Sequence, residues 1–273
     1  MGLTRTSVIP LSDGVRIPVL GLGTAGARGP TCFAAVVEAL RLGYRLIDTA
    51  SMYGNEVEVG RAVRESGIPR QELFITTKIA SPEQGSKSTP KALDASLHRL
   101  GLDYVDLYLI HWPARRKRVA TWEAMIRFLE EGTAQAIGVS NFMVHHLEEL
   151  RAAKETPSVN QIELSPFLQQ KEVVDYCREH GIQLEAYSPL TRGRRLDDPA
   201  IVRIAVKHGK TPAQVLIRWS LQHGFIVIPK SSRPERIREN SEVFDFALSS
   251  SDLRALDALE KGLHFDWDPS RVP

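Results

Sequence analysis

Short β-branched apolar runs alternate with longer amphipathic stretches from residue 19 to near the end of the chain. The runs fall at 19–22, 45–48, 73–78, 105–110, 134–139, 158–162, 182–187 and 226–229. Each is four to six residues long, the length of a strand rather than of a helix. Between them, Phe33, Val36, Val37 and Leu40 recur with i, i+3, i+4, i+7 spacing, the apolar stripe of a helix. Leu93, Leu97 and Leu100 mark a second helix, with Thr89 as predicted N-cap and Pro90 at the first helical position. Trp122, Met125, Ile126 and Leu129 mark a third, and Val173, Val174 and Cys177 a fourth. Thr211-Pro212 opens another, with Val215, Leu216 and Trp219 on its apolar face.

Regular alternation of strand and helix implies a parallel sheet, because parallel strands need long crossovers. Eight such units predict an α/β fold, a (β/α)8 TIM barrel. Before the barrel, Ser7–Pro10 and Val15–Pro18 flank Asp13-Gly14, a turn signal that predicts an N-terminal β-hairpin. After the eighth strand, Leu253, Leu256 and Leu259 predict an additional C-terminal helix capped by Ser249–Ser251. Composition shifts nowhere enough to suggest a linker, so residues 1–273 read as a single domain.

Barrel active sites form at the C-terminal ends of the strands. Asp48 ends the second run, Lys78 the third and His111 the fourth; Tyr53 lies in the loop after the second. The barrel therefore predicts that these four groups share one rim. A phenol is a poor acid at neutral pH, and a nearby ammonium lowers its pKa. Lys78 can do this for Tyr53, Asp48 can balance Lys78, and His111 can orient a substrate oxygen. That set suits delivery of a proton to a carbonyl oxygen while a cofactor supplies hydride to its carbon. Each residue alone has an ordinary explanation: a loop cap for Asp48, a solvated strand end for Lys78, rim packing for Tyr53 and a satisfied core histidine for His111. Composition and spacing leave those explanations open.

Gly21-Leu22-Gly23-Thr24-Ala25-Gly26 matches G-x-G-x-x-G literally, with Asp48 following 22 residues after Gly26. A Rossmann fingerprint needs its third glycine early in a helix. Here Gly29-Pro30 delays helix onset to about residue 30, so the expectation is a small-residue loop that lets a ligand approach closely.

The chain has 273 residues, 42% hydrophobic and 25% charged, with a net charge of +2. Those values describe a globular protein without the clustered basic excess of a nucleic-acid surface. The basic runs Arg115–Arg118 and Arg192, Arg194 and Arg195 read first as solvated loops, with attraction of an anionic cofactor or substrate as the alternative. Cys32 and Cys177 sit in apolar helical patterns as free buried thiols, and no Cys/His spacing suits zinc. Met1–Pro10 lacks the apolar core of a signal peptide, and no stretch is apolar enough to span a membrane. Met1-Gly2-Leu3-Thr4-Arg5-Thr6 matches a myristoylation pattern, which is too short to weigh. The expectation is a cytoplasmic protein.

Several longer segments carry a family resemblance. Gly43-Tyr44-Arg45-Leu46-Ile47-Asp48-Thr49-Ala50 with Tyr53-Gly54-Asn55-Glu56, Leu107–Pro113, Ala136–Phe142 and Ile228–Ser232 resemble the motifs of the aldo-keto reductases. The resemblance covers nearly the whole chain and is nearest to the prokaryotic branch that includes 2,5-diketo-gluconate reductases. It implies a TIM barrel that binds NADPH in an extended pose, with Tyr53 as proton donor, Lys78 and Asp48 tuning it and His111 orienting the substrate. It also implies nicotinamide contacts at Ser140, Asn141, Gln161 and Tyr187, and pyrophosphate contacts at Ser188 and Leu190. Lys230, Ser231 and Arg236 match the grip on the 2′-phosphate, and Glu239 and Asn240 match adenine contacts. Thr24, Ala25 and Trp112 line the implied substrate pocket, with Ala25 standing where many relatives carry an aromatic residue. The loop Thr191–Pro199 is short, which implies a less enclosed cofactor.

The function expected is NADPH-dependent reduction of aldehydes and ketones by a monomer. The partner is a small-molecule carbonyl substrate, with no nucleic acid, membrane or metal. The alternative from another class is a cofactor-sensing regulatory subunit on the same barrel. A metal-dependent barrel hydrolase would need His-x-His and carboxylate ligands that the chain lacks.

Overall fold

The hairpin forms where Asp13-Gly14 predicts a turn. In this computed structural model, whose described residues are 2–273, β1 (Val8–Pro10) and β2 (Arg16–Pro18) pair antiparallel. Gly14 takes a φ of +85°, and the Asp13 carboxylate accepts a hydrogen bond from the Val15 N–H at 3.1 Å. Met1, the first residue of the myristoylation match, lies outside the described residues.

The barrel strands follow as β3 (Gly21–Gly23), β4 (Leu46–Asp48), β5 (Phe74–Ile79), β6 (Val105–Ile110), β7 (Ala134–Ser140), β8 (Val159–Glu163), β9 (Gln183–Tyr187) and β10 (Ile226–Val227). They form one parallel sheet in sequence order. Closure between β10 and β3 rests on bridges Leu20–Val227 and Gly23–Lys230. Between the strands run α1 (Gly29–Arg41), α2 (Glu56–Glu65), α3 (Ser88–Leu100), α4 (Arg118–Glu131), α5 (Val144–Glu148), α6 (Lys171–Glu179), α7 (Pro199–His208) and α8 (Pro212–Gln222). α9 (Pro234–Ser241) and α10 (Ser250–Asp257) complete the chain's helices before a tail that returns to the rim.

The eight predicted strands are all present, within two residues at each end. α8 carries the expected cap, with Thr211 accepting from the Gln214 N–H and Gln214 accepting from the Thr211 N–H. Ser249 caps α10 in the same way with Asp252. Thr89, by contrast, is not the N-cap of α3. Its N–H donates to Gly85 O, so the helical turn starts upstream and α3 begins at Ser88. α10 ends at Asp257, leaving Leu259 in the turn beyond it. α2, α5, α7 and α9 carry no signal assigned from the sequence.

Two apolar cores result. The larger lies between strands and helices, around residues such as Val36, Ile75, Tyr108, Trp122, Ile137 and Trp219. The smaller fills the barrel, where Leu46, Phe74, Leu107, Leu109, Val159 and Ile226 pack with Leu11 and Ile17. The hairpin and its turn thus plug the bottom of the barrel, leaving the opposite end for chemistry.

Two glycines of the false fingerprint permit close packing in the barrel. A Cβ on Gly21 would stand 2.4 Å from the Leu46 side chain, and one on Gly23 would stand 2.8 Å from Ile228 O. The second obstacle is backbone at the seam of the barrel, so it yields only by opening the seam. Gly23→Ala is expected to cost about 1–3 kcal/mol, the usual size of overpacking. Calorimetry checks it: Tm should fall by roughly 2–4 °C for each kcal/mol lost in a chain of this size.

Candidate active site

β4 and β5 are short and parallel, with Asp48 opposite Thr76 in register. Lys78 lies two residues beyond Thr76 and so points to the same side, into the barrel. Its ammonium has no solvent exposure. It donates to Asp48 Oδ1 at 2.5 Å, to Thr49 O at 2.9 Å and to Tyr53 Oη at 3.5 Å, which uses all three protons. The second Asp48 oxygen accepts from Gln161 Nε2 at 2.8 Å.

Tyr53 ends a single 3₁₀ turn, Ser51–Tyr53, that stops at Gly54 with φ +64°. Asn55, fully buried, fixes this turn to its neighbours. Its amide donates to Thr24 O and Ala27 O in the loop after β3, and accepts from Thr49 Oγ1. Tyr53 Oη lies 3.4 Å from His111 Nε2, with the rings edge-to-face at 5.4 Å.

Burial pushes the Asp48 carboxyl up, while Lys78 and Gln161 pull it down. Burial works to lower Lys78, but the charge of Asp48 and its hydrogen bond oppose that, and the ammonium is held above its ordinary value. Burial and the Lys78 charge hold His111 well below the usual histidine range, so its imidazole is neutral. Tyr53 departs from the sequence expectation. Lys78 does work to lower it, but burial is the larger effect and Asp48 adds to it, so the phenol sits above its ordinary value. Tyr53 therefore holds its proton at neutral pH.

These groups form the floor of a cavity of about 770 Å³ that runs across the rim. Its lining brings together Asp48, Tyr53, His111, Trp112, Ala25, Ser140, Asn141, Gln161, Tyr187, Ser188, Leu190, Lys230, Ser231, Arg236, Glu239 and Asn240. Two predicted site residues are outside the lining. Lys78 is buried beneath the floor. Thr24, expected in the substrate pocket, turns inward instead and donates its hydroxyl to Asp48 O at 2.9 Å. Ala25 is exposed at the mouth, in keeping with an open wall there.

Past the floor, Asn141 adopts φ +63°, a left-handed conformation rare outside glycine. Its amide donates to His111 O and Ser140 Oγ and accepts from Tyr187 Oη at 2.7 Å. At the far end, Lys230 and Arg236 are exposed and enter no ion pair among the described residues. The first turn of α9 beside them has no side-chain cap.

Sequence reasoning missed a second set of residues. Asp266, in the C-terminal tail, accepts from Ser188 Oγ at 2.7 Å and from Arg192 at 2.9 Å. Glu163, at the end of β8, accepts from the backbone N–H groups of Phe265 and Asp266. Trp267 packs edge-on against Trp112, with ring centres 4.9 Å apart. The short loop after β9 is thus tied down by the tail. No apolar period marks these partners, because the contacts join segments far apart in the chain, from 74 residues for Arg192–Asp266 to 103 for Glu163–Asp266 and more for Trp112–Trp267.

Comparison with known proteins agrees with this architecture. The sequence pattern of the Aldo/keto reductase family matches residues 19–261. A protein named glyoxal reductase, from Bacillus subtilis (strain 168), is 50% identical over 274 residues, covering 100% of this chain and 99% of its own. The crystal structure of an aldo/keto reductase from Brucella melitensis is 48% identical with a TM-score of 0.90, covering 93% of this chain and 99% of that one. An aldo-keto reductase crystallised with NADPH is 35% identical with a TM-score of 0.92, covering 97% of this chain and 91% of that one.

Glu163 makes stability depend on pH. Burial raises its carboxyl from 4.5 to about 7, so the folded chain holds this proton more tightly than the unfolded chain. The sign follows from linkage: the contribution is complete at acidic pH and is lost as pH rises between those two values. At 1.36 kcal/mol per unit it amounts to roughly 3 kcal/mol. Denaturant unfolding of the wild type and Glu163→Gln from pH 4 to pH 8 should show a steeper decline in the wild type. Parallel curves would remove Glu163 as the cause.

Proposed function

The chain belongs to the aldo/keto reductase family, and on that premise we propose that it reduces small aldehydes and ketones with NADPH, using Tyr53 as proton donor. The observation that carries the proposal is the position of the Tyr53 hydroxyl at the cavity floor, within 3.5 Å of Lys78 and 3.4 Å of His111.

The residues present fit a phosphorylated nicotinamide cofactor. Gln161 faces the cavity, and its amide oxygen takes no hydrogen bond among the described residues, leaving an acceptor for a carboxamide. Lys230 and Arg236 offer unpaired charge for a phosphate monoester, and the uncapped first turn of α9 favours an anion. Ser140, Asn141 and Tyr187 would hold the nicotinamide side, Ser188 and Leu190 the pyrophosphate, Ser231 the 2′-phosphate, and Glu239 and Asn240 the adenine. When bound, the cofactor supplies the hydride.

The chain's own residues then handle the proton. A substrate oxygen placed between Tyr53 and His111 receives a hydrogen bond from each. His111, being neutral, can direct one N–H toward that oxygen without adding charge. Tyr53 releases its proton as negative charge grows on the oxygen, and the phenolate left behind faces the Lys78 ammonium. Asp48 keeps Lys78 charged for that moment. The partly exposed Trp112 and the exposed Met52 line an apolar mouth, and Ala25 leaves it wide. The naming of a half-identical relative as glyoxal reductase supports short dicarbonyls as first substrates to try.

Tyr53→Phe removes the proton and leaves the cavity intact. With methylglyoxal, kcat should fall by about 10²–10⁴, the range of general acid catalysis, while NADPH fluorescence still reports binding. Unchanged kcat would sink the mechanism. Lys230→Ala should weaken NADPH binding by roughly tenfold or more, the size of a charge-assisted bond, and leave NADH nearly unaffected. Equal losses for both cofactors would count against the 2′-phosphate assignment.

A further inference from the structure

Just below the catalytic layer the barrel encloses one more ionisable side chain. Glu185, on β9, has no solvent exposure. It lies in register with Gln161 on β8 on one side and with Ile226 on β10 on the other. Its Oε2 accepts from Gln161 Nε2 at 3.0 Å, while its Oε1 is buried with no partner. The same Gln161 nitrogen also donates to Asp48 Oδ2 at 2.8 Å.

A primary amide has two donor hydrogens on nitrogen and none on oxygen. With a carboxyl on each side, both hydrogens are taken, and the amide nitrogen must face inward. The amide oxygen is then the atom left for the cavity. Asp48 alone would hold one hydrogen and leave the amide free to pivot about that bond.

We propose that Glu185 is a positioning residue, which fixes the Gln161 amide so that its oxygen is presented to the carboxamide of the nicotinamide. The inference rests on the proposed role of Gln161 in cofactor binding and adds the group that orients it.

The charged groups facing Glu185 are Asp48 and Lys78; Gln161 and Ile226 are neutral. Burial, and then the Asp48 charge, push the Glu185 carboxyl up to about 8. At neutral pH it therefore acts as a neutral acid, accepting through its carbonyl oxygen. The buried cluster then keeps one carboxylate for one ammonium. An ionised Glu185 would add a second negative charge beside the pair.

The test measures binding of reduced cofactors by fluorescence at pH 7. One ligand is NADPH; the other is its 3-acetylpyridine analogue, which keeps the carbonyl but has a methyl group where the carboxamide has its NH2. The wild type should prefer NADPH by roughly tenfold, the size of one hydrogen bond. Glu185→Met, similar in length but without an acceptor, should lose most of that preference. Glu185→Gln, whose amide oxygen can accept the same bond, should keep it. A folded Glu185→Met with the wild-type preference overturns the proposal, as does a folded Glu185→Gln that loses it. If Glu185→Met does not fold by circular dichroism, Glu185→Leu, which also lacks an acceptor, takes its place in the same comparison. A folded Glu185→Leu that keeps the wild-type preference overturns the proposal. A wild type that shows no preference for NADPH faults the role of Gln161 instead, so the two failures are told apart.

Discussion

The ion pair between Lys78 and Asp48 is the constraint around which the open end of the barrel is arranged. An ammonium removed from water costs several kcal/mol, and Coulomb attraction alone rarely offsets that. Here every donor and acceptor is used. Lys78 has three acceptors within 3.5 Å, and Asp48 receives Lys78 on one oxygen and Gln161 on the other. Such a pair can be assembled only where adjacent strands direct side chains into one interior, which a closed parallel barrel provides. Burial first, and then the charge of Lys78, keep His111 neutral.

Polar groups can be held this deep because the other end of the barrel is sealed. The hairpin residues Leu11 and Ile17 pack against Leu46, Phe74, Leu107 and Ile226, which excludes water from below. The same seclusion that raises Tyr53 also raises Glu185, so both hold protons at neutral pH. One sits where it can be given to a ligand. The other is beneath the floor, where it limits the charge of the cluster.

Much of this was legible from the chain, and the physical reason is local. Strand runs end where the apolar pattern ends, so Asp48, Lys78 and His111 could be placed on one rim before any coordinates. The G-x-G-x-x-G match can be set aside because Gly29-Pro30 delays the helix, and the close approaches of Gly21 to the Leu46 side chain and of Gly23 to Ile228 O at the barrel seam account for two of its glycines. What sequence did not disclose depends on contacts between distant segments. The family resemblance puts Thr24 in the pocket, yet its hydroxyl finds the Asp48 carbonyl and turns away. Tyr53 was expected to be lowered by Lys78, and only the depth of the site shows that burial is the stronger influence. Glu163 and Glu185 carry no signature of their own, since a strand glutamate gains its role from what stands opposite.

The C-terminal tail alters what the short loop after β9 implies. From loop length alone, the cofactor cleft should be poorly covered. In the folded chain, Asp266 joins Ser188 and Arg192 from above, and Glu163 holds the tail by two backbone N–H groups. Cover that a longer loop would provide is supplied by the chain's other end. The arrangement has a chemical consequence. Ser188 is the residue proposed to meet the pyrophosphate, and its hydroxyl is engaged by a carboxylate. A pyrophosphate held as proposed would meet a Ser188 hydroxyl already bound to Asp266, with the Arg192 guanidinium paired to the same carboxylate at 2.9 Å. Through Asp266, the tail therefore sets the charge beside that part of the cleft.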